Sequence, residues 1–164
     1  MIIETERLYL RYLQEKDAPL MSAYRCKEEV AKYQSWKTYS VEDASKRITQ
    51  CLQIKEYNRV GSDYHLGIVL KENDLLIGDL FVEILNKKIF VLGYTLDSEY
   101  WSQGYATEII KPFMQYMKDQ YQFKKVICYV YNDNIRSIKL LKRLAFMRFD
   151  ESYYYDDVGY IKKI

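Results

Sequence analysis

The sequence is poor in the residues that hold metals and disulfides. It has one histidine, His65, and three cysteines, Cys26, Cys51 and Cys128, which are widely separated and lack Cys-x-x-Cys spacing. A zinc site takes about four ligands, mostly histidines and cysteines, so we expect no metal. Because disulfides form in oxidising compartments, an odd number of scattered cysteines favours reduced thiols and a cytoplasmic location.

The sequence also lacks a hydrophobic run long enough to cross a bilayer. The longest uncharged apolar stretches, such as Ile89–Leu96, are far shorter than the roughly 20 residues of a membrane helix. Acidic residues occur at once in the N-terminal segment, at Glu4 and Glu6, where a secretory signal would carry a basic region. We therefore expect a cytoplasmic protein with no membrane partner.

Charge of one sign is not in excess, since the net charge is only +2. Nucleic-acid-binding proteins usually concentrate basic residues in a stripe, and no such stripe is visible. Lys139, Lys142 and Arg143 lie close together, which leaves an RNA- or ribosome-associated module as one hypothesis. They are more simply the solvated face of a helix, so no nucleic-acid partner is expected.

The residues that are present suit one globular domain. Of 164 residues, 49% are apolar and 29% charged, enough for a core inside a polar surface. We expect residues 1–164 to form a single domain. Tyrosine is frequent, with 18 residues that include the run 153–155. Replacement of phenylalanine would explain this excess, and so would an aromatic cleft for a substrate.

Hydrophobic periodicity predicts an α/β protein with a mixed sheet. A capping box at Ser40 and helical spacing predict helical segments at residues 17–33 (broken), 40–57, 105–119 and 135–144. Alternating or wholly apolar runs predict strands at residues 6–13, 64–70, 75–85, 88–96 and 125–131, and a last hairpin over 147–164. Short turns join the three middle strands, which indicates an antiparallel meander.

Two places in this order suit a bound phosphate group. The strand 88–96 leads through Gly104 into a helix, whose free amides and dipole attract phosphate oxygens. Asn134 and Ser137 occupy the start of the next helix, where Asn134 is a candidate N-cap. Each feature alone is also explained as an ordinary turn or cap. The glycine turn matches neither a Walker loop nor a dinucleotide fingerprint.

Three blocks together resemble the GNAT superfamily of acetyltransferases. They read TERLYLR (residues 5–11), LGYTLDSEYWSQGYATE (92–108) and NIRSIKLLKRLAF (134–146). The first is similar to the branch of ribosomal-protein N-terminal (RimJ/RimL-type) acetyltransferases. The resemblance implies a GNAT-like α/β fold with a mostly antiparallel mixed sheet, flanking helices and two parallel strands that splay apart at the cofactor site. It also implies direct transfer of an acetyl group from acetyl-CoA to a primary amine in a ternary complex.

The resemblance also implies a role for individual residues. Residues 94–96 would pair with the pantetheine arm of acetyl-CoA, the Leu96 amide would donate to the oxyanion, and residues 103–107 would hold the pyrophosphate. The expected acetyl-CoA contacts are Tyr94, Thr95, Leu96, Gln103, Gly104, Tyr105, Ala106, Thr107, Asn134 and Ser137. The expected acceptor-cleft residues are Trp36, Tyr39 and Tyr64.

The chain departs from the family pattern at the positions of the acid and the base. Leu141 stands where many members have a tyrosine that protonates the thiolate, and Val91 stands near a common glutamate. Glu83 and Tyr129 are the replacement candidates, and His65 is a third. The two losses keep open an alternative function, a non-catalytic acyl-CoA sensor or protein-interaction module.

The sequence leaves the acceptor and the assembly open. The acceptor is either a protein N-terminus or a small-molecule amine. An α-amino group has a pKa of about 8 and a lysine about 10.4, so the first needs less help from a base. The tyrosine-rich C-terminal hairpin would suit a homodimer interface.

Overall fold

A mixed sheet of eight strands forms the centre of the protein. The structure is a computed structural model, and it describes residues 1–151 and 156–164. The strands are β1 (Ile3–Glu4), β2 (Leu8–Tyr12), β3 (Asp63–Leu70), β4 (Leu75–Asn86), β5 (Ile89–Leu96), β6 (Lys125–Tyr131), β7 (Met147–Glu151) and β8 (Asp157–Lys163). Their order across the sheet is β1-β2-β3-β4-β5-β6-β8-β7. The predicted meander and last hairpin are therefore confirmed.

Helices cover both faces of this sheet. They are α1 (Ala18–Arg25), α2 (Glu28–Ala31), α3 (Val41–Leu52), α4 (Tyr105–Tyr121) and α5 (Ile135–Arg143). Because successive strand side chains point to opposite faces, the neighbours Ile68 and Val69 belong to two different cores. Val69 packs with α1 and α3, whereas Ile68 packs in the larger core with α4 and α5. No helix in the described part of the chain is long and apolar enough to cross a membrane.

The capping box at the start of α3 is present as predicted, but the helix is shorter than expected. Ser40 Oγ accepts from the Asp43 amide at 3.1 Å, and Asp43 Oδ2 accepts from the Ser40 amide at 2.9 Å. The helix ends at Leu52 rather than near residue 57. Beyond that point Ile54 and Tyr57 pack against the larger core. Tertiary packing therefore ends the helix earlier than the local sequence pattern predicts.

The only parallel pair among the described strands is β5 with β6, and it is short. Three residue pairs are in register, from Ile89 with Lys125 to Val91 with Ile127. Beyond these pairs β5 continues to Leu96 and β6 to Tyr131, but the two strands no longer pair with each other. The two strands thus diverge, as the predicted fold class requires.

The last hairpin brings β7 against β8 at the edge of the sheet. The three consecutive tyrosines at 153–155 lie outside the described residues. The homodimer interface suggested for this hairpin therefore stays a prediction.

The large core lies directly below the diverging strands, and it supplies a test of the fold. The Phe113 ring is fully buried and packs edge-on against Phe90, at 6.2 Å between centroids. We expect Phe113→Ala to lower the free energy of unfolding by about 3–5 kcal/mol through lost burial and a cavity. Urea denaturation measures it. Met147→Ala, at a side chain that is 64% exposed, is the control and should change stability by less than about 0.5 kcal/mol. Equal losses in both variants would contradict this packing.

Candidate functional site

A slot lined by backbone groups opens where β5 and β6 diverge. The Asp97 amide donates to the Ile77 carbonyl at 2.8 Å, which continues the β5 ladder with β4. Because backbone groups alternate sides along a strand, those of Tyr94 and Leu96 point away from β4, toward β6. The Leu96 carbonyl there accepts from Trp101 Nε1 at 2.9 Å. The Leu96 amide remains directed into the slot, able to donate to an extended ligand.

A left-handed turn leads from this slot into α4. Gly104 is the N-cap of α4, with φ at 87°, a conformation that favours glycine. Arg7 lies beside it, donating to the Gln103 carbonyl at 3.0 Å and pairing with Glu108 at 2.7 Å. A cation therefore accompanies the free amides of the helix start, which suits a pyrophosphate. Sequence reasoning missed Arg7 as a site residue, although it lies in the first family-like block.

The start of α5 is tied to β5 across the slot. Asn134 Oδ1 accepts from the Ser137 amide at 3.1 Å, so Asn134 is an N-cap in this structure. The Ser137 and Tyr94 hydroxyls hydrogen-bond to each other. Both side chains line a cleft of about 510 Å³. A ligand in the slot would therefore contact the cap, the serine and the tyrosine together.

The cleft has an aromatic lining. Its aromatic residues are Tyr33, Trp36, Tyr39, Phe81, Tyr94, Tyr129 and Tyr131. Trp36 and Tyr39, expected at an acceptor cleft, thus lie in its wall, and so does Tyr129. Thr95, Asn134 and Ser137 belong to the same lining, whereas Leu96 and the turn 103–107 lie outside it. The structure therefore places Trp36 and Tyr39 in the wall of the same cleft as Tyr94 and Thr95.

Two expected residues lie elsewhere. Tyr64 is buried in the larger core, edge-on to Tyr57 at 4.9 Å between ring centroids. Its neighbour His65 lines the cleft instead, because adjacent strand side chains point to opposite faces. Glu83 lies on β4 two residues after Phe81, so its side chain is on the same face of the sheet as the cleft. It is not part of the cleft lining.

A buried polar cluster lies beneath the cleft, which two of its members, Arg25 and His65, line. Sequence reasoning named His65 as a candidate base but missed its partners. Asp79 Oδ2 accepts from Arg25 Nη2 at 2.8 Å and lies 2.6 Å from His65 Nδ1. Asp79 Oδ1 accepts from the Tyr24 hydroxyl at 2.5 Å. The Arg25 guanidinium also stacks on the Trp36 ring, at 4.3 Å. The signal in the sequence was an aspartate within the otherwise apolar stretch 75–82, where a buried charge needs a partner.

The charges in this cluster balance. Burial alone would raise the pKa of Asp79, but the Arg25 guanidinium, His65 and the Tyr24 hydroxyl outweigh it and hold that pKa well below its usual range. Burial lowers the pKa of His65, against the opposing effect of Asp79. At neutral pH the cluster therefore contains one ion pair, Arg25 with Asp79, and a neutral imidazole.

Among residues 1–151 and 156–164, no group of three or more potential ligands is placed to hold a metal ion. Cys128, on β6, is buried, and burial raises the pKa of its thiol. The thiol therefore stays protonated and is a poor nucleophile.

Comparison with known proteins identifies relatives along nearly the whole chain. The family model described as acetyltransferase (GNAT) domain matches residues 7–147. The N-acetyltransferase p20 of Bacillus licheniformis is 27% identical over 146 residues, which cover 88% of this chain and 81% of that protein. YoaA of Bacillus subtilis, another N-acetyltransferase, is 27% identical over 150 residues, 90% of this chain and 83% of that protein.

Solved structures show the same fold. RimL, described as a ribosomal L7/L12 alpha-N-protein acetyltransferase in complex with coenzyme A, superimposes with a TM-score of 0.85 at 19% identity. The match covers 99% of this chain and 97% of RimL. A GNAT-family acetyltransferase from Bacillus anthracis gives 0.84 at 17% identity, over 98% and 97% of the two chains.

The ion pair at the floor of the cleft yields a second test. Asp79→Asn leaves the buried Arg25 charge without a counter-ion, and we expect a loss of about 3–5 kcal/mol in the free energy of unfolding. Urea denaturation at pH 7 measures this loss. The native pKa of Asp79 is lowered from 3.8, so its stabilising effect is present above that pH and declines as the pH falls below it. The difference between wild type and variant should therefore narrow in acid, and a constant difference would contradict the assignment.

Proposed function

This chain belongs to the GNAT acetyltransferase family, and we propose that its acetyl-CoA binds in the slot while a primary amine enters through the aromatic cleft. The family and fold expected from the sequence are confirmed, and acetyl transfer by an enzyme is favoured over a non-catalytic sensor. The observation that carries the proposal is the divergence of β5 and β6, which exposes unpaired backbone groups beside the cleft.

The backbone of residues 94–96 pairs with the pantetheine arm in this proposal. The amides that follow Gly104, with the Arg7 guanidinium beside them, hold the pyrophosphate. In this proposal Gln103, Tyr105, Ala106 and Thr107 contact the pyrophosphate, as the family resemblance implies. Asn134 and Ser137 flank the opposite wall of the slot. Acetyl-CoA itself supplies the acetyl group as a thioester. The coenzyme A held by RimL, a protein of the same fold, supports this use of the slot.

The Leu96 amide stabilises the negative charge that develops on the acetyl oxygen during attack. A backbone donor in a fixed strand needs no reorganisation as charge develops, which is why such donors are effective. In this proposal the amine attacks the thioester directly, and burial raises the pKa of the Cys128 thiol, which makes it a poor alternative nucleophile. Tyr129 lines the cleft and stays a candidate acid. Glu83 also stays a candidate base. Because it stands outside the cleft lining, it would have to take the proton through groups that lie between it and the amine.

The acceptor is a primary amine, either a protein N-terminus or a small molecule. The cleft volume of about 510 Å³ lies within the range of small-molecule sites. Its aromatic walls suit an ammonium group, which is attracted to ring faces. RimL is described as acting on the α-amino group of a ribosomal protein, which supports a protein N-terminus as one acceptor class.

We place the enzyme in the cytoplasm, and the three unpaired cysteines support a reducing compartment. Residues 1–164 act as a single N-acetyltransferase domain in this proposal. The sheet, which runs from β1 to β8 without a break, supports that assignment.

Amine-dependent release of coenzyme A thiol tests the function. Purified protein with acetyl-CoA should release thiol when offered α-amino peptides, polyamines or amino sugars, and the product should gain an acetyl group by mass spectrometry. If no thiol is released with any of the three acceptor classes while coenzyme A still binds, the result would contradict catalysis and support a non-catalytic acyl-CoA sensor.

A matched pair of glycine variants tests the slot. Gly104 and Gly61 have positive φ angles, 87° and 81°, so alanine costs each about 1–2 kcal/mol of backbone strain. Only a Cβ at Gly104 stands beside Arg7, at 3.5 Å from Nη2, in the proposed pyrophosphate site. We expect Gly104→Ala to raise the KM for acetyl-CoA by about tenfold, close to 1.4 kcal/mol of binding. Gly61→Ala should leave it unchanged, and equal effects would place the pyrophosphate elsewhere.

A further inference from the structure

We infer that His65, oriented by Asp79, is the group that accepts a proton from the acceptor amine. The inference rests on the proposed acetyl transfer and assigns the base that the family pattern lacks here, where Val91 replaces a common glutamate. It is carried by the hydrogen bonds of the buried cluster and by the place of His65 in the cleft floor.

The hydrogen bonds determine which nitrogen of His65 carries its proton. Nδ1 lies 2.6 Å from Asp79 Oδ2. Arg25 Nη2, which can only donate, lies farther from Nδ1, at 3.3 Å. An ionised carboxylate only accepts hydrogen bonds, so the closer contact requires Nδ1 to donate. Nε2 is then the unprotonated nitrogen, and within the described ranges 1–151 and 156–164 it has no hydrogen-bond partner. His65 lines the cleft. The proposal places Nε2, on the ring edge away from Asp79, toward this space, so that its lone pair faces the incoming amine.

Asp79 cannot turn away from His65, because both of its oxygens are occupied. Tyr24 holds Oδ1 at 2.5 Å, and Arg25 holds Oδ2 at 2.8 Å. A carboxylate fixed in this way orients the imidazole and stabilises the imidazolium that forms when it takes a proton. Asp79 is therefore a positioning residue, which acts through His65.

A continuous floor leads from His65 to the slot. His65 on β3, Phe81 on β4 and Gly93 on β5 are directly opposite one another in the sheet. The His65 ring packs on Phe81, at 5.2 Å between centroids, and Gly93 has no side chain to close the way. Two strand spacings separate β3 from β5, roughly 10 Å. An amine seated over Phe81 lies between His65 and Gly93, within reach of Nε2 directly or through one water. Leu96 follows three residues further along β5.

The groups around His65 keep it neutral and ready to accept. The charged and titratable side chains that face it from the packed elements are Tyr24 and Arg25 of α1, Tyr39 of the following loop, Arg47 and Cys51 of α3, Asp63 of β3 and Asp79 of β4. Arg25 and Asp79 cancel each other's charge, as do Arg47 and Asp63. Protonated His65 would add a net positive charge in a buried place, and burial accordingly lowers its pKa below 6.5. The neutral form prevails at pH 7.

The proton balance of the transfer is complete with this assignment. The acceptor enters as an ammonium ion and loses one proton to His65 Nε2, which leaves a lone pair on nitrogen. That lone pair forms the C–N bond to the acetyl carbon, and the C–S bond breaks with its electron pair leaving on sulfur. A second proton from the nitrogen passes to the sulfur, which yields the amide and the free thiol. His65 then releases its proton to solvent, so one proton is produced in each turnover.

The pH dependence of His65→Asn tests the assignment. The asparagine amide can still donate to Asp79 but has no basic nitrogen toward the cleft. With a peptide α-amine, we expect kcat to fall by about tenfold at pH 7, because only about a tenth of an α-amine with a pKa of about 8 is neutral at that pH. The defect should shrink to less than about twofold at pH 9, where about nine-tenths of the amine is neutral without a base. Acetyl-CoA binding and thermal unfolding are the controls for folding and should stay near wild type. A loss that is equal at both pH values, or no loss, would overturn the proposal.

A second measurement does not depend on turnover. His65 is the only histidine, so its ring nitrogens give single signals in a nitrogen-15 NMR titration. We expect a neutral ring at pH 7 with the proton on Nδ1 and a titration midpoint below 6.5. A proton on Nε2, or a charged ring at pH 7, would overturn the assignment of the base. Absence of acetyl transfer by the wild type would instead count against the proposed function.

Discussion

The buried ion pair between Arg25 and Asp79 is the interaction on which the cleft depends. It joins α1 to the middle of β4, and the two charges require each other because neither is solvated. Arg25 in turn positions the aromatic wall, since its guanidinium stacks on Trp36 and its carbonyl accepts from Trp36 Nε1 at 3.2 Å. Asp79 orients His65 at the floor. One pair of charges thus connects the helical layer, the sheet and the site.

The two halves of the site are built from different parts of the chain. The slot is formed by backbone groups of β5 and by the start of α4, so many side chains could change there without loss of its shape. The cleft is lined by residues of α1, α3, α5, the loop after α2 and strands β3 to β6 and β8. Function is carried by such sites rather than by the fold, so side chains of the cleft can differ between proteins that share the fold. This explains why the acceptor is the hardest property to infer from family membership.

Most of the fold was predictable from local patterns. Ser40 began α3 as its capping box indicated, and the glycine turn delivered β5 into α4. The errors came from packing at a distance. α3 ended early because Ile54 and Tyr57 join the larger core. Tyr64 lies in that core and His65 lines the cleft, because the face on which a strand residue lies depends on register. A shift of one position turns a cleft residue into a core residue.

By itself, the sequence determined the element order, the mixed sheet and the family, because these follow from periodicity and from contiguous blocks such as residues 92–108. Only the tertiary structure decided the chemistry of the cleft. Tyr24 and Arg25 are far along the chain from His65 and Asp79, and no local pattern indicates that they meet. Their association depends on burial, since a charged side chain inside a protein is stable only with its partners in contact. That requirement is satisfied by folding and leaves no motif in the sequence.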